Sequence, residues 1–391
     1  MLDIRSDFYD KIKIITPKDD KFYFFGYYDL HPTEEGGTRH LTHRVSFMDR
    51  LPEADDVCEL GYIEGGKFVK FAETTAWNFQ QGAMLTYHPS KKNTVFYNTV
   101  KDGKFVTAIH NYESGEIKYA DMPSATYSGD GKYSLSVNFG RIFAFRKGYG
   151  YAGAVDKNAD VCVPEDDGVF CVDLESGKSK LLVSYRDLLK ESGFKEDEKV
   201  LVNHITLCPN SDKYLMLVRA MWKDGRGWDT SMMVGDLSGG LKTLIHRTYV
   251  SHYYWLSPDM IVAHTTLDGD KYRALYTVDA HTGETEPVKS FFFESGRKSS
   301  DIHCSLSPDG KYIIGDGYPA EGYRPLLAID RENGKSKIIL EAKSPDPAHP
   351  DIRCDLHARF AFDGKFISFD TTADDGRREI AIFPAEYLSC D

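Results

Sequence analysis

The sequence predicts an all-β fold, a single seven-bladed β-propeller of four-stranded antiparallel blades, with six or eight blades as the neighbouring counts. Three observations carry this reading: a hairpin motif visible in six copies, a near-constant spacing between its turns, and a second strand pair after each copy. The motif is an apolar strand, a tight turn rich in Ser, Asn, Asp, Gly or Pro, and a returning apolar strand that mostly opens on an aromatic residue. Asp-Gly and Asn-Ser at the turn supply the backbone angles a tight hairpin needs, and the flanking alternation of apolar and polar residues is the period-2 signature of strands. The turn residues Asn210, Asp259, Asp309 and Asp363 are spaced by 49, 50 and 54 residues. That period belongs to a propeller blade rather than to a helical repeat.

Taken in chain order, blade one is the least regular copy: FYFFGYYDLHP (22 to 32), with TRHLTHRVSF and CELGYIEGGKFVKF as its further strands. Blade two opens on LTYHPSKKNTVFYN (85 to 98) and blade three on ATYSGDGKYSLSV (125 to 137). Blade three carries an insertion over about 146–167, rich in Gly and acidic residues, and a short helix over about 184–194, SYRDLLKESGF. The hairpins ITLCPNSDKYLMLV (205 to 218), YWLSPDMIVAH (254 to 264), CSLSPDGKYIIGD (304 to 316) and RFAFDGKFISFD (359 to 370) open blades four to seven. Runs such as GVFCVDLESGKSKLLV (168 to 183) and LLAIDRENGKSKIIL (326 to 340) supply outer strand pairs. Closing 391 residues into one ring, about 56 residues per blade, removes the exposed edges that an open sheet of this size would leave.

Composition narrows the function. With 48 Lys+Arg against 60 Asp+Glu the formal net charge is −12, and basic residues occur as pairs, such as Lys91-Lys92, rather than runs. This argues against a nucleic-acid partner. No stretch reaches the roughly 18 apolar residues a membrane helix needs, so no membrane partner is expected. The amino-terminal residues carry charges where a signal peptide needs its apolar region, so the chain as given reads as cytoplasmic, or periplasmic if a signal segment has been removed. Seven scattered cysteines without a CxxC pair make a disulfide framework unexpected. The oligomeric state is not readable.

In a propeller the first strand of each blade lines the central channel, so equivalent positions on successive blades form rings about the axis. Five residues before the turn Pro or its equivalent stand His204, His303 and His357; His252 stands six before Pro258. Blades one to three offer Tyr27, Met84 and Ser124 there, with Gln80 and Gln81 close by. Four imidazoles at one register suit a divalent transition metal, Mn²⁺ or Zn²⁺ foremost; a structural hydrogen-bonded ring and a metal-free catalytic cluster are the alternatives. Asp355 shares the strand face of His357 and is an additional ligand candidate or a partner fixing its tautomer. Cys354 is a further candidate, whereas strand alternation turns Cys304 away from the face of His303.

Arg219 ends the strand that hairpins back from His204, and a guanidinium beside an imidazole suggests an acidic ligand, carboxylate above all. Trp77, Trp222 and Tyr253 are candidates for stacking sugar rings. Nucleotide and α/β-hydrolase chemistry are poor fits, because GxSxG, P-loop, HExxH and a strand-following GxGxxG are all missing from the sequence. A glycoside hydrolase would want two carboxylates flanking the bond; Asp316 and Asp370 follow corresponding hairpins, and their repeat equivalence suggests turn structure instead.

The segments SHYYWLSPD, IHCSLSPDGKYIIGDGYP and DLHARFAFDGKFISFD resemble the carboxyl-terminal blades of the oligogalacturonate lyase family, propeller-type polysaccharide lyases with TolB-like repeats. The similarity covers roughly residues 200 to 391. It implies a seven-bladed propeller, a uronate-containing oligosaccharide substrate, β-elimination, and a divalent metal, Mn²⁺ in the best-matched members, held by histidines and a glutamine. Carried over, His252, His303 and His357 would be ligands; Gln81, close to the blade-two register position and outside the resemblance, is a candidate additional ligand or neighbour of the ion. The family's last blade has a His-x-His pair where this chain has Asp355 and His357. The amino-terminal half does not resemble that family; it is similar to propellers found near bacterial polysaccharide genes and to those acting on rhamnose and glucuronate linkages. The expectation is a metal-assisted lyase with His204 as general base and Arg219 assisting. A glycoside hydrolase on uronate- or rhamnose-containing glycans and a non-catalytic glycan-binding propeller are the alternatives.

Overall fold

The structure, a computed structural model, describes residues 2–34, 36–222, 225, 227–267, 273–288 and 301–390. Among these residues the strands form seven antiparallel sheets, six of four strands and one of five. Blade one comprises Phe22–Phe24, His40–Val45, Cys58–Glu64 and Lys67–Thr74; blade four comprises Val200–Leu207, Lys213–Met221, Trp228–Asp236 and Leu241–Thr248. The six hairpins expected from the motif open blades two to seven in order.

Each blade buries both of its faces against its neighbours, and the period-2 pattern shows how. In Lys213–Met221, Tyr214, Met216 and Val218 pack with Val169, Cys171 and Val183 of blade three. The intervening Leu215 and Leu217 pack with Tyr253, Ile261 and Ala263 of blade five. A strand buried on both sides is apolar at successive positions, as this one is.

The ring closes through the amino terminus, a feature the repeat pattern does not announce. Blade seven has three strands of its own, and Lys13–Ile14 completes it as the outermost, with Lys13 opposite Ile382 and Ile14 opposite Ala381. Ile4–Arg5 adds a fifth strand to blade six in the same way. Two-residue strands carry no readable alternation, so only the three-dimensional ring reveals them.

The blade-three insertion differs from expectation at its start. It begins after Tyr133–Ser136 with a helix, Phe139–Phe145, whose Asn138 side chain accepts from the Arg141 N–H. A two-turn helix containing three Phe residues has no clear helical stripe in sequence. The second helix, Tyr185–Ser192, lies inside the expected span, with a capping box at Ser184 and Asp187 and Gly193 as its left-handed cap at φ 75°. No helix among the described residues is long and apolar enough to cross a membrane.

Innermost strands start at one end of the channel and reach their hairpin turns at the other. The first is hereafter the histidine end, the second the turn end.

Candidate metal centre

The inner strand of blade one is regular only over Phe22–Phe24, and beyond it the chain crosses the channel. Gly26 makes the crossing at φ +125°, where a Cβ would sit 2.9 Å from the Gln81 carbonyl oxygen. Tyr28 is thereby carried to the axis. Its ring centroid lies 5.9 Å from His204, 6.2 Å from His252, 5.6 Å from His303 and 5.9 Å from His357. The four histidines that share a register in the sequence thus share a place in space.

Three of them are held alike. His252 Nδ1 lies 2.7 Å from Asp301 Oδ1, His303 Nδ1 3.1 Å from Asp316 Oδ1, and His357 Nδ1 3.1 Å from the Gly26 carbonyl oxygen. Each acceptor requires a proton on Nδ1, which leaves the Nε2 lone pair unprotonated in the neutral ring. Burial favours that neutral form, pulling His252 down to about 3 and His357 well below the usual imidazole range. His357 reaches its place through a left-handed backbone, φ 42°, uncommon for a side chain other than Gly and costing on the order of 1–3 kcal/mol.

The Nε2 atoms of His303 and His357 are buried with no hydrogen-bond partner. Together with an oxygen of Asp355 they form a group whose donor atoms all lie within 4.8 Å of one another. Asp355 is wholly buried, yet Arg324 Nη2 at 2.8 Å and Arg353 Nη2 at 2.7 Å approach its two oxygens. Burial alone would raise its pKa; the two guanidiniums outweigh this and hold it well below the usual carboxylate range. Two imidazole lone pairs and a carboxylate are donors that Mn²⁺ or Zn²⁺ accepts, and an orphaned buried acceptor costs about 1–3 kcal/mol unless something occupies it. The residues therefore fit a divalent cation. His252 adjoins the group, its ring centroid 4.0 Å from that of His303, without belonging to the convergent set.

His204 is turned the other way. Its Nε2 faces Asp29 Oδ2 at 3.4 Å, its Nδ1 is buried and unpartnered, and its ring stacks on Tyr253 at 4.4 Å. Burial lowers its pKa. Arg219, two residues along the strand from Leu217, the cross-strand neighbour of His204, is 5 % exposed with Nε and Nη1 unpartnered. Burial, with Arg146 adding to it, brings the guanidinium down to about 10, so it is still a cation at neutral pH.

Several expected site residues lie elsewhere. Trp77 is 1 % exposed, its indole N–H donates to the Asp56 carbonyl and its ring packs on Phe24, Phe47 and Phe79, so no face remains for a sugar. Tyr253 is equally buried, stacked on His204 with its hydroxyl donating to the Leu215 carbonyl; it supports the imidazole instead of stacking a ligand. Cys354 is outside the convergent group, and burial pushes its thiol up to about 11, against thiolate ligation. Among the described residues the Gln81 side chain makes no hydrogen bond to the group, although its backbone braces Gly26. Trp222 is exposed, donating to Asp229 at the rim of the histidine end.

Asp316 and Asp370 are the final and near-final residues of second strands rather than turn residues. Asp316 lies opposite His303 and also accepts from the Leu356 N–H; Asp370 pairs with Arg359 and Arg378 and accepts from the Phe25 N–H. The supporting residues Tyr28, Asp29, Asp301, Arg324 and Arg353 escaped the sequence reading. Asp316 alone had a usable signal, its place across the hairpin from His303.

No family model matches the chain, and no curated protein matches it. Solved structures do. An oligogalacturonate lyase in complex with manganese superposes with a TM-score of 0.67 at 15 % identity, covering 98 % of this chain and 96 % of that one. An oligogalacturonate lyase from Vibrio parahaemolyticus gives 0.65 at 13 %, covering 98 % and 97 %. The tricorn protease gives 0.53 at 12 %, covering 95 % of this chain and 34 % of its own. At such identities the likeness is one of fold.

Proposed function

We propose that the protein is a metal-dependent lyase that binds an acidic oligosaccharide at the histidine end and cleaves it beside a uronate by β-elimination. The observation that carries this reading is the pairing of two features: the unpartnered Nε2 atoms of His303 and His357 converging with Asp355, and the buried guanidinium of Arg219, which has no carboxylate partner among the described residues. A buried guanidinium without a counter-ion is costly, and a carboxylate is the anion it pairs with most strongly. The whole-length likeness to an oligogalacturonate lyase in complex with manganese supports the same assignment.

His303, His357 and Asp355 would hold the ion, with His252 beside them; bound there, Mn²⁺ or Zn²⁺ supplies positive charge to a substrate carboxylate as charge develops on it. Arg219 pairs with the uronate carboxylate and orients it. Asp29, accepting from His204 Nε2–H, leaves the lone pair on Nδ1, and burial keeps that ring neutral and able to take a proton. His204 removes the proton on the carbon next to the carboxylate. Its electron pair forms the new carbon–carbon double bond, and the glycosidic carbon–oxygen bond breaks. Tyr27, whose ring stands 4.9 Å from His204 and whose phenol burial keeps protonated, gives a proton to the departing oxygen.

The test is incubation of the full chain, loaded with Mn²⁺, with oligogalacturonates and glucuronate-containing oligosaccharides. An unsaturated uronate product with rising ultraviolet absorbance is expected, lost in His204→Ala with the metal retained. Saturated reducing ends would make it a hydrolase, and affinity without product a glycan-binding propeller; either result overturns the proposal.

A further inference from the structure

The opposite end of the channel holds a cavity for which the lyase reading has no ligand. It has a volume of about 230 Å³ and lies among the hairpin turns, beyond Tyr28 from the metal centre. Its walls are aromatic: Tyr87, Phe96, Tyr127, Tyr254, Trp255 and Phe362, with Phe96 stacked on Tyr127 at 4.8 Å. Their polar tips are largely committed to the protein. The hydroxyls of Tyr87 and Tyr127 donate to the carbonyls of Arg39 and Met84, and the Trp255 indole N–H donates to that of Thr206. These rings line the cavity together with the polar side chains of Thr86, Thr126, Ser128 and Asn210.

At the inner end lies Asp29. The other carboxylates near the channel are well served: Asp301 has His252 and His264, Asp316 has His303 and Arg324, and Asp370 has Arg359 and Arg378. Asp29 is as deeply placed, 7 % exposed at its side chain, but its Oδ2 has only the Thr206 hydroxyl at 3.0 Å and the His204 ring at 3.4 Å. Its Oδ1 is buried with no partner at all. Among the described residues, no Lys or Arg lines the cavity. An anionic group short of a counter-ion, at the end of a pocket of aromatic faces, has the chemistry that recognises a cation with an apolar body.

We propose that the turn end of the channel binds a small organic cation, an alkylated ammonium, held between the aromatic faces with its charge directed toward Asp29. The volume accommodates a few-atom ion. The site shares Asp29 with the lyase assignment, where that carboxylate holds His204, but binding of the cation does not require lyase activity.

The experiment is calorimetric titration of the full chain at about pH 8, where exposed imidazoles are neutral, with choline and with its neutral carbon isostere, dimethylbutanol. Choline is expected to bind one per chain, at least roughly tenfold more tightly than the alcohol, the discrimination a desolvated cation–π contact provides. Asp29→Asn should weaken choline about tenfold and leave the alcohol unchanged. Phe362→Ala, at a partly exposed turn position, should weaken choline several-fold even if the Asp29 variant does not fold. Equal affinity for the two compounds, no binding of choline, or unchanged choline affinity in a folded Asp29→Asn or in Phe362→Ala would overturn the proposal.

Discussion

His40 in blade one and His357 in blade seven are nearly the same object. Both are buried, both place Nδ1 against a backbone carbonyl oxygen (Leu41 for the first, Gly26 for the second), and both leave Nε2 buried with no partner. Blade one even has a second such ring, His43, whose Nε2 accepts from the Ala83 N–H while Nδ1 is orphaned. Yet His40 has the edge of Phe25 for a neighbour and His43 the face of Phe24, whereas His357 has His303 and Asp355 with donor atoms within 4.8 Å. An orphaned nitrogen is therefore not a signal of function. Convergence of several is, because one imidazole is a weak monodentate ligand and a cation needs a set.

The sharpest way to break the comparison is to exchange the two regions' histidines for alanine. Loss of His357 should abolish metal binding and the thermal stabilisation that added Mn²⁺ confers. Loss of His40 should leave both intact and cost a few kcal/mol of core packing in urea melts. Next in size is Asp316→Asn, which leaves His303 in place but weakens the acceptor that fixes its tautomer. A drop of roughly 10- to 100-fold in metal affinity by competition titration is expected, with no counterpart at His43, which no carboxylate holds.

Arg219→Met extends the test to an orphaned charge. Removing a buried unpaired guanidinium while keeping its apolar stem should stabilise the fold by about 1–4 kcal/mol and eliminate lyase activity; a destabilised variant would mean that the cation has a partner after all. A pH effect separates the regions further. Burial pulls His40 and His43 down to about 3. The unfolded chain takes up protons near the ordinary imidazole value of about 6.5 while the folded chain refuses them. Stability should therefore fall as pH falls between those values, by up to about 1.4 kcal/mol per pH unit for each histidine. His43→Asn should make that slope in a denaturation series shallower.

Much of the ring was legible because a repeat turns a one-dimensional register into a spatial one: His204, His252, His303 and His357 could be superposed before any coordinate was known, and they do surround Tyr28. What the register could not convey is which nitrogen each ring presents. That depends on partners such as Asp301, Asp316 and Gly26, drawn from other strands and from a blade-one crossing with no repeat counterpart. Hence the reversed orientation of His204, facing Asp29, stayed hidden. Trp77, a stacking candidate in sequence, is a packing residue in the structure for a related reason. Aromatic residues serve ligand stacking and packing between blades alike, and only contact with Phe24, Phe47 and Phe79 decides between them. The closure by Lys13–Ile14 was invisible because a strand of two residues has no period to read.

The most direct test of the central claim is elemental analysis of the purified chain after incubation with Mn²⁺ or Zn²⁺, run beside His303→Ala and His43→Ala. Close to one equivalent of metal is expected in the wild type and in His43→Ala, and none in His303→Ala. A metal-free wild type after loading, or metal retained when His303 is gone, would contradict that claim.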